Sequence, residues 1–490
     1  MMRRVLDLAR WCAWAGLVWL LPITSMPLIR KLVGSDSVAA PSGVMLGILV
    51  LIWLVPLVLM GRRLPPQVVP LLAFFSVFVF SALFSAFAVL PAFKEVSPLR
   101  NEIMAVVTLI VGISFYLVAA TFPVERSHLE RTLRWINWSG AAILAWSLIQ
   151  AAVWYGVGRY PDFLRDFQDL ISLGPLYRQR PTGFALEPSW LAHQLNMLYL
   201  PLWLSASVQG NTVHRFRVWK LTFENGLLAL GVVVLLLSLS RVGLLAFLLA
   251  VAFLLWRGHL WLVAWLRSHL VAWKHFAWAQ RLRGSVLSAG LFIVLLGGYL
   301  CVLLGLAYGL SRVDPRMQSL FNFSFAGENV VQRFSKQLVF AERVVYWQAG
   351  WELFGDHPWL GVGPGNSGYF FPKAIASDGW NYIEVRRLMY RSSSLPNVKS
   401  FWVRLLAETG LVGFAFFAGW LYVLWRTAHY LRTRPEALVR TIGLAGVLVL
   451  IAFVIEGFSL DSFAIPYYWI SMGLVTAACT MVGRSGNAEA

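Results

Sequence analysis

Charge is what this chain has least of. Charged residues make up 13% of it, whereas 59% of its residues are hydrophobic. Soluble globular proteins carry roughly 25% charged residues, so a single soluble core is excluded and lipid is the expected surrounding. Cysteine is nearly missing. Cys12, Cys301 and Cys479 lie in or beside apolar runs and form no CxxC pair, which excludes a disulfide framework. No GK[ST] follows any glycine-rich turn, so a P-loop is excluded. No A-x-A site follows the apolar start, so MMRRVLDLARWCAWAGLVWLLPITSMP reads as an uncleaved first span rather than a signal peptide.

What the chain does have is long apolar runs, such as IMAVVTLIVGISFYLVAATF at 103–122 and SVLSAGLFIVLLGGYLCVLLGLAYGL at 285–310. Such runs are membrane-spanning helices by length and composition. About twelve are expected, near 8–29, 44–60, 67–92, 103–122, 135–156, 189–207, 225–240, 242–256, 285–310, 403–425, 441–459 and 467–483. The seventh and eighth meet in a tight hairpin at Ser240-Arg241. The fold class is therefore an all-α polytopic membrane protein of about twelve transmembrane helices. A large extracytoplasmic loop, 311–400, separates the ninth from the tenth. It reads as one membrane domain, 1–490: N-terminal helices 1–224, a core 225–425 and C-terminal helices 426–490.

The formal charge of +18 could suggest nucleic acid, but the basic residues are spread over short loops. The N-terminus and loops 61–66, 123–134, 208–224, 257–284 and 426–440 are basic, while 30–43, 94–102 and 460–466 are poor in Lys and Arg. The positive-inside rule then places both termini in the cytoplasm and 157–188 and 311–400 outside. Within 257–284, Trp and Leu alternate with Arg, Lys and His, the pattern of an amphipathic helix on the inner membrane surface.

Ionisable residues within spans are costly and therefore functional candidates. They are Glu187, His193, Arg241, Arg404, Glu408, Glu456 and Asp461, all in outer halves or at outer edges. That one-sidedness suits a cavity open to the outside better than a path through the bilayer. Mutual pairing that staples helices is the plainer alternative for Glu408 and Glu456. Outside the membrane an enzyme needs a substrate that arrives activated. A sugar on a lipid diphosphate qualifies, and arginine is the residue suited to that anion. Arg241 and Arg343 are the best pair, with Arg333, Arg386, Arg387 and Arg391 also in the outer loop.

The stretch YWQAGWELFGDHPWLGVGPGNSGYF, 346–370, is Trp- and Gly-rich. Val344, Trp347, Trp351 and Phe354 have helical spacing, and Gly355 and Pro358 end that helix. LGVGPGNSG then forms a glycine-rich turn, either purely structural or offering amides to phosphate or sugar oxygens. GPGNSG matches GxGxxG only formally, since no strand precedes it and Pro364 removes an amide. Asp356-His357 is one adjacent pair and not a metal site. No metal and no cofactor is expected.

These stretches resemble the bacterial O-antigen ligase and O-antigen polymerase family of membrane glycosyltransferases. SRVGLLAF (240–247) is similar to the start of its core. RVVYWQAGWELFGDHPWLGVGPGNSGYF (343–370) is similar to its Arg-x-x-x-Trp helix and His-Pro-x-x-Gly-x-Gly-x-Gly turn. SFWVRLLAETGLVGFAFF (400–417) is similar to its Glu-x-Gly-x-x-Gly helix, and RPTGFALEPSWLAHQ (180–194) looks like a polymerase feature. The resemblance implies transfer of a glycan from undecaprenyl diphosphate to an acceptor sugar, with no metal or nucleotide. Arg241 and Arg343 would then grip the donor diphosphate. Lys399 and Glu187 complete the implied catalytic set, and Arg180, His357, Gly363, Gly365, Asn366, Arg404 and Glu408 the binding set. One departure stands out: where ligases have a His-Asn pair, this chain has Lys399 and Ser400. That favours a polymerase of lipid-linked repeats in the cytoplasmic (inner) membrane. A ligase is the nearest alternative and a polysaccharide transporter or flippase the second. The implied partners are the lipid-linked donor, the glycan acceptor, the bilayer and a chain-length regulator, with no nucleic acid.

Overall fold

The computed structural model describes residues 2–33, 40–85, 87, 89–272, 284–313 and 341–489. Helices dominate them. In chain order they are α1 (Met2–Leu20), α2 (Pro41–Leu59), α3 (Pro66–Ser85), α4 (Pro98–Thr121), α5 (Arg126–Val157), α6 (Asp162–Ile171), α7 (188–209), α8 (Phe223–Leu237), α9 (Arg241–Ala272), α10 (Gly284–Val313), α11 (Ala341–Asp356), α12 (Phe401–Arg432), α13 (Ala437–Glu456) and α14 (Pro466–Glu489). A two-residue hairpin pairs Arg217 with Thr222 and Val218 with Leu221.

Local chemistry sets many of these ends. Ser97, Thr222 and Ser400 cap α4, α8 and α12 through their hydroxyls, and Thr222 and Asn225 form a reciprocal capping box. Proline opens α2, α4 and α7, where its missing N–H costs nothing. Gly158 ends α5 at φ 75°, a left-handed position that glycine takes without strain.

Each of the twelve expected spans falls on one of these helices. Seven helices of the described residues are long and apolar enough to cross a membrane: α2 to α5, α9 over Arg241–His269, α12 and α13. The polytopic all-α class is therefore shown at that level. Three expected features differ. The first span, drawn as 8–29, is helical only over Met2–Leu20, because the chain turns at Pro22 and begins a short helix at Pro27–Val33. Of the surface helix expected in 257–284, residues 257–272 continue α9 without a break, and 273–283 lie outside the described residues. An amphipathic pattern and a straight continuation share one period, so the sequence alone could not separate them. The stretch 311–400 holds the helix expected through Val344 to Phe354, as α11, and two that were not expected, Ser367–Ala374 and Ile383–Tyr390. Arg333 lies outside the described residues.

The chain divides into two units. The first holds Met1–Phe247, Ala349–Ala374 and Ser392–Ala490. In it α13 is central, with 78% of its apolar window buried, and it packs against α12, α14 and the second half of α7. α4 packs along α14, α3 along α12, and α1 along α2 and α5. Trp203 fills space left by Gly140 and Gly231, where a Cβ would come within 2.4 Å and 2.8 Å of its ring, and its indole donates to Asn137.

The second unit holds Leu248–Gln348 and Ile375–Arg391. There the His259 ring lies edge-on to Phe292, centroids 4.3 Å apart. Glu342, in the first turn of α11, neighbours Glu384 of the helix Ile383–Tyr390. Burial and the neighbouring Glu384 hold the Glu342 carboxyl above its usual range.

Candidate functional site

The site lies in the first unit and begins with a broken helix. Within α12, Gly410 takes φ 62° and ψ −166°, outside any helical region. The break frees backbone groups on both sides, and the glycine turn after α11 docks onto them. Val362 and Gly363 donate to the carbonyls of Ala407 and Glu408 at 2.9 and 3.2 Å. Leu411 and Val412 donate to the carbonyls of Pro358 and Trp359 at 2.7 and 3.3 Å. Gly361, Gly363 and Gly365 all have positive φ, so only glycine follows this path without strain. The two motifs are therefore one folded object.

Glu408 fixes the far side of the turn. Its carboxylate accepts from the Gly365 amide at 2.8 Å, the Ser367 hydroxyl at 2.9 Å and Arg404 Nε at 3.0 Å. Arg404 also donates to the Asp461 carbonyl. Asn366 is fully buried, and its amide nitrogen donates to Glu102 at 2.6 Å. Ser85 also donates to Glu102, and Asn101 donates to the Gly365 carbonyl. These contacts bring Gly363, Gly365, Asn366, Arg404 and Glu408 of the expected binding set together, and the buried Asn366 Oδ1 is left without a hydrogen-bond partner among the described residues. His357 closes α11 and accepts from the Gly361 amide at 3.1 Å. Glu102, Asn101 and Ser85 escaped notice because the fourth span was drawn from residue 103, leaving Glu102 just outside it.

A second cluster surrounds the start of α9. Between α8 and α9 only Ser238–Ser240 intervene, and Leu239 turns the chain at φ 50°. Ser240 caps the new helix by accepting from the Gly243 amide at 3.4 Å, which puts Arg241 in its first turn. The positive end of a helix and a guanidinium thus coincide. Arg180 Nε donates to the Ser238 carbonyl at 2.9 Å, tying the 158–187 segment to this break. Glu187 precedes α7 and accepts from Ser189 at 2.5 Å. Burial raises the Tyr177 hydroxyl, with Glu187 raising it further and Arg180 opposing, so these three groups share one neighbourhood.

The end of α13 joins the two clusters. Glu456 is buried and accepts from Asn196 at 2.7 Å, and Asn196 also donates to the Gly243 carbonyl at 2.8 Å. Its other oxygen lies 2.6 Å from His193 Nδ1. Asn196 reaches both partners from a π-helical turn, Leu195–Tyr199, a widening often found at functional sites. The next residue, Gly457, accepts through its carbonyl from the Phe401 amide at 2.7 Å. So residues 456–457 connect to the start of α9 through Asn196, two residues past Arg241, and to the start of α12 directly, two residues past Lys399. Lys399 holds φ 57°, and its amide donates to Asn397, whose side chain donates to Asp461 at 2.8 Å. A non-glycine residue held in that region is a functional candidate. Of the charges picked out in the sequence, His193 pairs with Glu456 across two helices, whereas Arg404 pairs with Glu408 within α12, so pairing between helices is seen for Glu456 alone of the two carboxylates. Arg343 belongs to the second unit, half-buried in the first turn of α11.

Residues 226–418 match the family model described as O-antigen ligase. That span contains Arg241, Arg343, the glycine turn, Lys399 and the broken helix. No curated protein matches the chain.

Proposed function

We propose, from a chain whose residues 226–418 carry the O-antigen ligase match, a membrane glycosyltransferase that polymerises lipid-diphosphate-linked repeats. A multi-pass helical protein with this match supports membrane glycosyl transfer at the coarse level. The finer reading rests on one observation: Asn196 links the Arg241 end of α9 to Glu456, and the next residue, Gly457, binds the first amide of α12, two residues past Lys399. Two positive helix ends and two cations at one place suit a diphosphate. Arg343 enters on the resemblance alone.

In the proposed reaction the acceptor hydroxyl oxygen bonds to the donor's anomeric carbon as the bond from that carbon to the diphosphate oxygen breaks. The electron pair leaves with undecaprenyl diphosphate, and the hydroxyl proton passes to Glu187 or to water. Arg241 and Lys399 offset the charge that grows on the leaving oxygen, preorganised by their helix starts. The chemistry faces outward from the bacterial cytoplasmic membrane, with both termini inside, and a chain-length regulator is a proposed partner. The ligase description of the matching family favours a second reading, transfer of a finished chain to a lipid or protein acceptor.

The test uses purified wild-type and Arg241→Ala protein with a lipid-diphosphate-linked repeat, without nucleotide or metal. Wild type should give a ladder of products on a gel. The substitution should slow it by roughly 100-fold or more, the scale of losing one preorganised charge stabiliser. Glycan on an added acceptor without a ladder would identify a ligase. Lipid movement across vesicles without any transfer would end the enzyme reading.

A further inference from the structure

The segment between α5 and α7 was expected to be an outer loop. It is a built structure with its own pocket. Gln150 of α5 is buried, and its side-chain oxygen accepts from the amides of Thr182 and Gly183 at 2.9 and 3.0 Å. Its nitrogen donates to Gln168 of α6 at 3.1 Å, and the Trp146 indole donates to the same oxygen at 2.9 Å. Tyr160 donates to the Tyr177 carbonyl at 2.9 Å, and burial pushes its hydroxyl up to about 12, so it stays a donor. Buried polar groups satisfied in this way hold a segment in one conformation.

What they hold is a pocket of about 570 Å³. That falls within the size range of small-ligand sites. Arg159, Arg165 and Arg178 line it from three successive segments, with Asp169 as the one acid, and Trp154 and Tyr160 supply aromatic surface. Arg165 also lies 3.7 Å from Asp162, a long, exposed pair that holds it only weakly. α6 shows which way the pocket opens. Phe163, Phe167 and Leu170 form an exposed apolar stripe at helical spacing, the mark of a helix lying in a membrane interface. Arg165 and Asp169 occupy the opposite side of that helix. The pocket therefore opens to water and not to lipid.

We infer that this pocket binds an anionic sugar residue, carboxylated or phosphorylated, of the glycan being handled. Guanidinium forks fit a carboxylate or phosphate, and the half-buried Trp154 ring, backed by the buried Tyr160, offers a face to the apolar side of a sugar. Arg180 links the segment to the Ser238 carbonyl, three residues before Arg241, so an occupied pocket would hold glycan beside the proposed donor site. The inference deepens the glycosyl-transfer reading and rests on it for the identity of the ligand.

The test is a binding measurement that needs no turnover. Wild-type protein in zwitterionic-lipid nanodiscs is titrated by calorimetry with an oligogalacturonide and with a neutral maltooligosaccharide of equal length. Binding of the acidic oligosaccharide at least about tenfold tighter, lost in Arg159→Ala/Arg178→Ala and partly kept in Arg178→Lys, is the expected result. Arg241→Ala protein should bind it as wild type does, so a failure of the pocket and a failure of transfer are read separately. Equal affinity for the neutral oligosaccharide, or unchanged binding by the double variant, overturns the inference. So does competition by phosphatidylglycerol added to the nanodisc, which would make this a headgroup site.

Discussion

At the scale of a residue, Gly410 decides most. Its φ of 62° and ψ of −166° lie in a region that glycine alone enters readily. A Cβ there would sit 2.2 Å from the Trp359 carbonyl oxygen, which is backbone and cannot swing away. Gly410→Ala should therefore cost about 1–3 kcal/mol in backbone strain, before any clash is counted. The clash would push the glycine turn off α12. Gly419, later in the same helix, has nothing within 4 Å of an added Cβ. Gly419→Ala should be neutral or slightly stabilising, since alanine is the better helix former. Thermal unfolding of both variants in detergent checks this, with hydrogen exchange at Val362 and Gly363. If Gly410→Ala melts with wild type and keeps those amides protected, the docked break does not hold the turn. The glycines and the Glu-x-Gly motif were legible in the sequence as a turn and a helix. Their joining was not, because hydrogen bonds between Gly363 and Glu408 leave no periodic signal. For the same reason the three partners of the Glu408 carboxylate could not be read from the sequence.

At the scale of elements, α11 and the helix Ile383–Tyr390 meet through two acids. Burial first, and then the neighbouring charge of Glu384, hold the Glu342 carboxyl above the usual carboxylate range. A folded-state pKa above the unfolded one gives stability that is full below the unfolded value. It is lost as pH rises through the raised folded value. The contact between these helices should thus be firmest in acid and loosen as the pH climbs above the usual carboxylate range. Glu384→Gln supplies a permanent donor and should remove that dependence. Hydrogen exchange over 383–390 at several pH values tests it. Protection that falls in acid instead, or a Gln variant with the wild-type profile, would show that the pair does not carry the dependence. Elements themselves were read well where length and apolarity agree, as in α4 and α13. They were misread where one helix runs on past its apolar stretch, as α9 does beyond Trp256, since charge in the continuation mimics a loop.

At the scale of the whole molecule, orientation is the remaining prediction, and it follows from charge placement. The net +18 is concentrated in one alternate set of loops, including Arg62, Arg63, Arg215, Arg217 and Lys220. Basic residues near span ends stay on the cytoplasmic side, so the segment 158–187 and residue 461 are predicted to lie outside. The reasoning depends on the number of crossings between those markers. α3, α4, α5, α12 and α13 are long and apolar enough to cross, whereas 188–209 is shorter in its apolar content and interrupted by a π-helical turn. Cysteine labelling resolves the point directly. With Cys12, Cys301 and Cys479 replaced by serine, single cysteines at Asp162, Arg217 and Ser462 are probed in intact cells with a membrane-impermeant maleimide. Asp162→Cys and Ser462→Cys should label at once, and Arg217→Cys only after permeabilisation. Labelling of the first and last but on opposite sides would mean that an odd number of crossings separates 162 from 462. The end of α13, which joins Arg241 to Lys399, would then face the cytoplasm while the basic pocket faced out, and a single extracytoplasmic transfer site could not include both.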